Sequence, residues 1–226
     1  MCNVNSKSIY QGVNRYDGGP TAGEGLINMR ITIKMADWSR PSDGTHLEEA
    51  AELVLESFRE FYDLVSPSQD AIRENLIQQL QDRNSELGYS IIIMLGESLG
   101  GISVYYPSDE IKGRQLNSLR HLMNVSTPRP NMVELLRTFR MKVEPVLTPR
   151  YINWTRLGVA SEFRRLGVAS MLNSAMEYDS RSRRFEYIGS HLNRENTASM
   201  KMHIGRGFAR VSEEDFQFIA MTKRLS

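Results

Sequence analysis

"YINWTRLGVASEFRRLGVASML", residues 151–172, decides how the chain is read. Its first nine residues, mostly β-branched, aromatic or apolar, read as a strand that closes at Val159. A short turn through Ala160 to Phe163 follows, and a helix is expected to start near Arg165. Gly167 would then stand in the first helical turn, where glycine is about 1 kcal/mol worse than alanine. A chain that keeps it there gains from bare backbone. Strand, turn and helix start aim several unpaired N–H groups at one point beyond the strand, and the helix dipole makes that point positive. Arg164 and Arg165 add charge, while Gly167 and Ala169 leave room for a diphosphate against the backbone. Small residues would serve equally well for packing a helix closely on a sheet.

Composition narrows what such a cradle could serve. The chain has 226 residues, 40% of them hydrophobic and 8% aromatic, enough for a sizeable core. Lys and Arg number 28 against 27 Asp and Glu, a formal charge of +1, so no global field points to nucleic acid or an anionic membrane. Any anion site must be local. The single cysteine, Cys2, excludes an internal disulfide framework, leaves no thiol spacing for a metal, and fits a reducing cytoplasm. No run approaches the ~18 apolar residues of a membrane span, and the start of the chain lacks the apolar core of a signal peptide.

Residues 1–28 are rich in Gly, Asn and Ser without either period, and are expected to be a mobile leader, with a docking arm as the alternative, before one domain over 29–226. Ile31, Ile33 and Met35 alternate with Arg30, Thr32 and Lys34 as in a half-buried strand. A helix follows, with Thr45 as cap, Glu48 as its reciprocal partner, and Leu47, Ala51, Val54 and Phe58 on one face. A second helix places Ala71, Leu76 and Leu80 inward. "YSIIIMLGESLGGISVYY" reads as two strands around the turn Gly96 to Gly100. Residues 107–149 hold two helical patterns, "LNSLRHLM" and "VELLRTFRMKV", split by "STPRPN". After the glycine-bearing helix come the strand "EYIGSHL", the short helix "TASMKMHIG" and the last strand "DFQFIAMTK". This order of strands and helices predicts an α+β fold class.

"LGVASEFRRLGVASML" resembles the coenzyme-A-binding segment of the GNAT superfamily of N-acetyltransferases, whose pattern is Arg/Gln-x-x-Gly-x-Gly/Ala after a strand ending in valine. Arg164, Gly167 and Ala169 fill the pattern positions and Val159 lies at the expected distance. "NRENTASMKMHIGRGF" is similar to the family's fourth helix, with Asn196, Ser199, His203, Gly207 and Phe208 at the family's spacing. Together the two matches cover residues 157–208.

The resemblance implies a splayed mixed sheet of six to seven strands flanked by helices, with 107–149 as a helical insertion between the third and fourth strands. It implies acetyl transfer from acetyl-CoA to a primary amine of a small molecule or peptide, by direct attack on the thioester and without a metal. By that likeness the backbone of Leu157, Gly158 and Val159 would bond the pantetheine, and a backbone N–H near Val159 would polarise the carbonyl. The N–H groups of Arg165, Leu166, Gly167, Val168, Ala169 and Ser170 would hold the pyrophosphate. Asn196 and Ser199 would stand on the other side of the arm. His203 occupies the position where the family commonly has tyrosine as proton donor, so it would serve as donor or relay, or only pack there. Thr155 stands where many members have a glutamate, so a water chain, Glu144 or His191 would be the base, or an acceptor arriving neutral would need none. Lys112, Arg114, Arg120, Arg129, Arg137, Arg140 and Lys142 in the insertion would meet an acidic acceptor or an acyl-carrier protein, or line a solvated helix face. "NWTRLGV" also looks like the strand of fatty-acyl transferases that make N-acyl amino acids, so a long-chain acyl transferase is the second reading. A non-catalytic acyl-CoA sensor is the third, and a second copy as partner is left open.

Overall fold

The computed structural model describes residues 10–11, 30–131, 134, 150–211 and 218–225. The alternation at 31–35 does build a strand. It is β2 (Ile31–Met35), and β1 (Tyr10–Gln11) pairs antiparallel with its Thr32 and Ile33. The rest of the expected leader lies outside the described residues. Pro41–Gly44 forms a single helical turn, α1, whose buried Asp43 pairs with Lys34. Helix α2 (Leu47–Ser57) starts at Leu47 with His46 at the cap. The expected Thr45 cap is not made, because its hydroxyl turns back to the Ser42 carbonyl at 3.3 Å. Ala51 and Val54 face the core as expected.

The helix breaks at Phe58, where φ is −143° and ψ is 34°. Ser57 prepares that break by donating its hydroxyl to the Val54 carbonyl at 2.8 Å, a bond that competes with the helix ladder. Helix α3 (Arg59–Val65) resumes in a new direction. Ser68 then caps α4 (Gln69–Gln81), accepting from Ala71 N–H at 3.2 Å, with Ala71, Leu76 and Leu80 buried.

Strands β3 (Ser90–Leu95) and β4 (Ser98–Pro107) form a hairpin. Its turn is Gly96–Glu97 alone, with Gly96 at φ +66°, and Leu99 and Gly100 belong to the strand. Helix α5 (Ile111–Met123) is the first of the two expected in the insertion. The second, over "VELLRTFRMKV", lies outside the described residues except Glu134. Strand β5 (Ile152–Val159), helix α6 (Val168–Ser182), strand β6 (Tyr187–Asn193), helix α7 (Thr197–Gly205), the two-residue β7 (Ala209–Arg210) and β8 (Phe218–Arg224) complete the order.

The strands make one mixed sheet in the order β1-β2-β3-β4-β5-β6-β8-β7. Only β5 and β6 run parallel among the described pairs. Both faces of β3 are buried: Ile92 and Met94 lie under α2, α4 and α5, and Ile91, Ile93 and Leu95 lie toward α6. An uninterrupted apolar run such as "IIIML" is what a strand covered on both sides requires.

Candidate functional site

The parallel pairing of β5 with β6 stops after three positions, Ile152 with Ile188, Asn153 with Gly189 and Trp154 with Ser190. Beyond Trp154 the strands part. They open a groove of about 970 Å3 walled by β5, β6, the α2–α3 corner and α7. At the point of parting the β4–β5 register slips: Val104 faces Arg156, and Tyr105 faces Trp154. Thr155 is the extra residue of a β-bulge, which bends the strand and reverses its alternation. As a result Trp154, Leu157 and Val159 all pack on the α6 side. Arg156 and Gly158 face α2, where a Cβ on Gly158 would come 2.8 Å from the Leu53 carbonyl oxygen. Close approach of α2 therefore explains this glycine.

Ala160 donates to the Gly100 carbonyl at 3.1 Å, so the backbone groups of Gly158 turn toward β4 by the antiparallel alternation. Those of Leu157 and Val159 turn into the gap. The resemblance assigned all three residues to the pantetheine, and the geometry offers the backbone of two.

After a 3-10 turn over Ser161–Phe163, Arg165 and Gly167 adopt left-handed φ values of 65° and 85°. Helix α6 starts at Val168, later than the expected Arg165, because Gly167 is its cap residue and stands outside the first turn. Glycine is needed there for its positive φ. No atom lies within 4 Å of where its Cβ would be, so that side is open to a ligand. No side chain caps the helix, and the N–H groups of Val168, Ala169 and Ser170 have no intrahelical acceptor. Arg164 is committed locally, its Nε donating to the Val159 carbonyl at 3.1 Å and its Nη2 pairing with Glu56 at 2.8 Å.

Across the gap Asn196 caps α7, its Oδ1 accepting from Ser199 N–H at 2.9 Å, which fixes the side chain and leaves its Nδ2 as a donor. His203 is 2% exposed. Its ring stacks on Trp154 at 4.6 Å and meets the edge of Phe208 at 4.8 Å. Nδ1 lies 2.9 Å from the Ser199 carbonyl oxygen, which can only accept, so Nδ1 carries a hydrogen. Nε2 is then left as a buried lone pair with no hydrogen-bond partner, on a residue that lines the groove. Burial lowers the imidazole pKa, with the Ser199 bond opposing it, so the ring is neutral at pH 7. In that state it is a base, and it can donate a proton only after taking one up.

The other candidates fall differently. Thr155 donates its hydroxyl to the Val104 carbonyl at 3.3 Å. His191 lines the groove, its pKa lowered by burial. Glu144, Arg137, Arg140 and Lys142 lie outside the described residues. Arg114 pairs with Glu110 at 2.6 Å, Arg120 donates to Asn117 at 3.1 Å, and Arg129 donates to the Asp63 carbonyl at 2.6 Å. Neither these nor Lys112 lines the groove. The wall facing the helix cradle comes instead from Glu56, Phe58, Arg59, Glu60, Asp63 and Arg156. None of these six was expected as a site residue. A charged residue inside the apolar strand "INWTRLGV" was the one signal, and it marks Arg156. Among the described residues no group of three or more His, Cys, Asp or Glu is placed to hold a metal, and no helix is long and apolar enough to cross a membrane.

No protein-family model matches the sequence, and no curated protein does. Solved structures do match. A crystal structure described as an acetyltransferase aligns with TM-score 0.56 at 18% identity, over 83% of this chain and 98% of its own. The PaiA N-acetyltransferase from Thermoplasma acidophilum, in complex with coenzyme A, aligns with TM-score 0.52 at 14% identity, over 87% and 99%. An aminoglycoside N-acetyltransferase in complex with CoA aligns with TM-score 0.52 at 17% identity, over 84% and 94%. The chain has the fold of the GNAT acetyltransferases.

Proposed function

We propose that this protein is an N-acyltransferase that moves an acetyl group from acetyl-CoA to a primary amine of a small molecule or peptide. One observation carries the reading. The uncapped start of α6, opened by left-handed Gly167, lies at the end of the strand whose Leu157 and Val159 backbone groups face the gap. A diphosphate suits the first and an extended amide-bearing arm suits the second.

In the reaction the amine nitrogen bonds to the thioester carbon, the carbon–sulfur bond breaks, and the proton lost by the amine ends on the departing thiolate. An N–H of the β5 edge near Val159 would polarise the carbonyl oxygen. His203 would relay the proton: Nε2 accepts it as the carbon–nitrogen bond forms and releases it to the sulfur, so the lowered pKa keeps it from being held. Trp154 and Ser199 fix the ring for that step. The single cysteine and the CoA donor fit a cytoplasmic setting.

The test is incubation with acetyl-CoA, and separately with a long-chain acyl-CoA, against a panel of amines while free thiol is followed. Acetyl-CoA-dependent thiol release with at least one amine is the expected result. Release from the long-chain donor alone would move the reading to a long-chain transferase. Tight CoA binding with no release from any pair would leave a sensor.

A further inference from the structure

The groove passes through the sheet where β5 and β6 part. His203 and Trp154 stand on the α6–α7 side, and two residues along β5 Arg156 faces the α2–α3 side. Its guanidinium carbon lies 4.2 Å from the centre of the Phe58 ring, at the break between α2 and α3, which holds the guanidinium over an aromatic face. Nη1 donates to the Thr155 carbonyl at 2.8 Å. The Nε–H is buried and has no partner. Burial opposes the positive charge, yet the guanidinium pKa stays raised, with the Glu86 carboxylate among the groups that favour it, so the side chain is protonated. No carboxylate of the described residues reaches salt-bridge distance of it, and Glu86 acts from farther off, its Oε1 taking the Tyr106 hydroxyl at 2.5 Å.

Four acids share the groove, Glu56, Glu60, Asp63 and Glu195, and none of them forms a salt bridge with Arg156. Glu56 is paired with Arg164, and Glu60 accepts from Asn193 at 2.9 Å, so each of these two ties one groove element to another. An arginine with a free, buried N–H beside a groove is built for a planar anion that arrives with the ligand, because the fork matches two carboxylate oxygens.

We propose that the acceptor is an amine that also carries a carboxylate, such as an amino acid, and that Arg156 receives that carboxylate while the amine reaches the Trp154–His203 side. This rests on the N-acyltransferase reading above.

The experiment compares free amino acids with their carboxamides as acceptors of acetyl-CoA, following thiol release, in the wild type, Arg156→Gln and Arg156→Lys. In the wild type, kcat/KM for the best acid should exceed that for its amide by about 10²-fold, equivalent to two charge-assisted hydrogen bonds at tenfold per 1.4 kcal/mol. Arg156→Gln should bring the ratio near one, mainly through KM, and Arg156→Lys should keep part of it. Affinity for CoA, read by calorimetry in the same variants, separates this from a damaged groove, since a purely structural arginine would lower acid and amide together. Equal use of acids and amides, or turnover confined to amines without a carboxylate, overturns the proposal. Binding is measured independently by titrating the acids and amides into the CoA-loaded protein. Arg156-dependent binding of acids without thiol release would sink the transferase reading, and with it the acceptor role, while keeping Arg156 as the site that receives the carboxylate. Neither binding nor release with any acid overturns it.

Discussion

One side of the groove, from Leu157 to Val159 and on through Arg164 to the helix start just beyond it at Val168, offers a ligand backbone N–H groups, and the other wall, from Glu56 to Asp63 with Arg156 across from it, offers side chains. The first is fixed by a strand end, a left-handed glycine and a helix start, all within fourteen consecutive residues. The second is assembled from α2, α3 and a strand about 100 residues later, joined by the stacking of Arg156 on Phe58. A ligand read by backbone constrains spacing in the sequence, because only certain residues permit the dihedrals. A ligand read by side chains constrains identities at distant positions and leaves no local pattern. On the proposed reading, the cosubstrate would belong to the first wall and the individual acceptor to the second.

The strongest way to break that division is Gly167→Glu. A carboxylate about 4 Å from a diphosphate is opposed by roughly 1 kcal/mol in water and about 4 kcal/mol at an effective dielectric of 20. At 1.4 kcal/mol per decade, CoA affinity should fall about 10²-fold or more in calorimetry. Gly167→Ala separates conformation from charge. It carries the left-handed strain, about 1–2 kcal/mol, but nothing lies within 4 Å of its Cβ. Its melting temperature should fall by a few degrees while CoA binding changes only a few-fold. If the Glu variant folds and binds CoA normally, the cradle is not at the start of α6.

Next in size is His203→Phe, which removes the lone pair and keeps most of the ring stack on Trp154. Turnover should drop about 10²-fold with CoA affinity nearly unchanged, because the lost step is proton transfer. The pH dependence of stability gives a second readout. Burial holds the His203 pKa below its ordinary 6.5, so the unfolded chain binds the proton first. The stability that goes with the neutral ring is full above about pH 6.5 and is lost as pH falls through the lowered native value. Wild type should therefore lose melting temperature faster than the Phe variant between pH 7 and pH 5. His191, also lowered by burial, acts with the same sign in both. Near-normal turnover in the Phe variant would make His203 a packing residue.

How much of this was legible follows the same division. The strand ending at Val159 and the glycine stood in the sequence because local backbone geometry dictates them, whereas the spacing of Asn196, Ser199 and His203 was legible only through the family resemblance. The helix start was misplaced by three residues because a left-handed cap looks, in sequence, like a glycine in the first turn. The bulge at Thr155 was not legible, since it arises from the register between β4 and β5 and has no glycine or proline to mark it. Without the bulge, simple alternation would put Arg156 on the same face as Trp154, and its stacking on Phe58 could not be foreseen. The break at Phe58 was hidden for a related reason: the apolar face of α2 runs on through it, and only the Ser57 back-bond ends the helix.

The smallest expected effect bears on the seam between the two walls, where Glu56 of α2 pairs with Arg164 of the cradle at 2.8 Å. Both side chains are substantially exposed, 40% for Glu56 and 54% for Arg164, so the pair itself contributes only about 0.2–1 kcal/mol. Bound this way, Arg164 spends its charge on the side-chain wall. Glu56→Gln would release the guanidinium toward the anion and remove a carboxylate from the groove. CoA affinity is then expected to rise by up to about fivefold, the equivalent of 1 kcal/mol, and the gain should shrink as salt is added. A loss of affinity would mean that Glu56 holds Arg164 in the posture that binds the diphosphate. In that case α2 takes part in holding the cosubstrate, and the line between a backbone wall and a side-chain wall has to be drawn on the other side of Glu56.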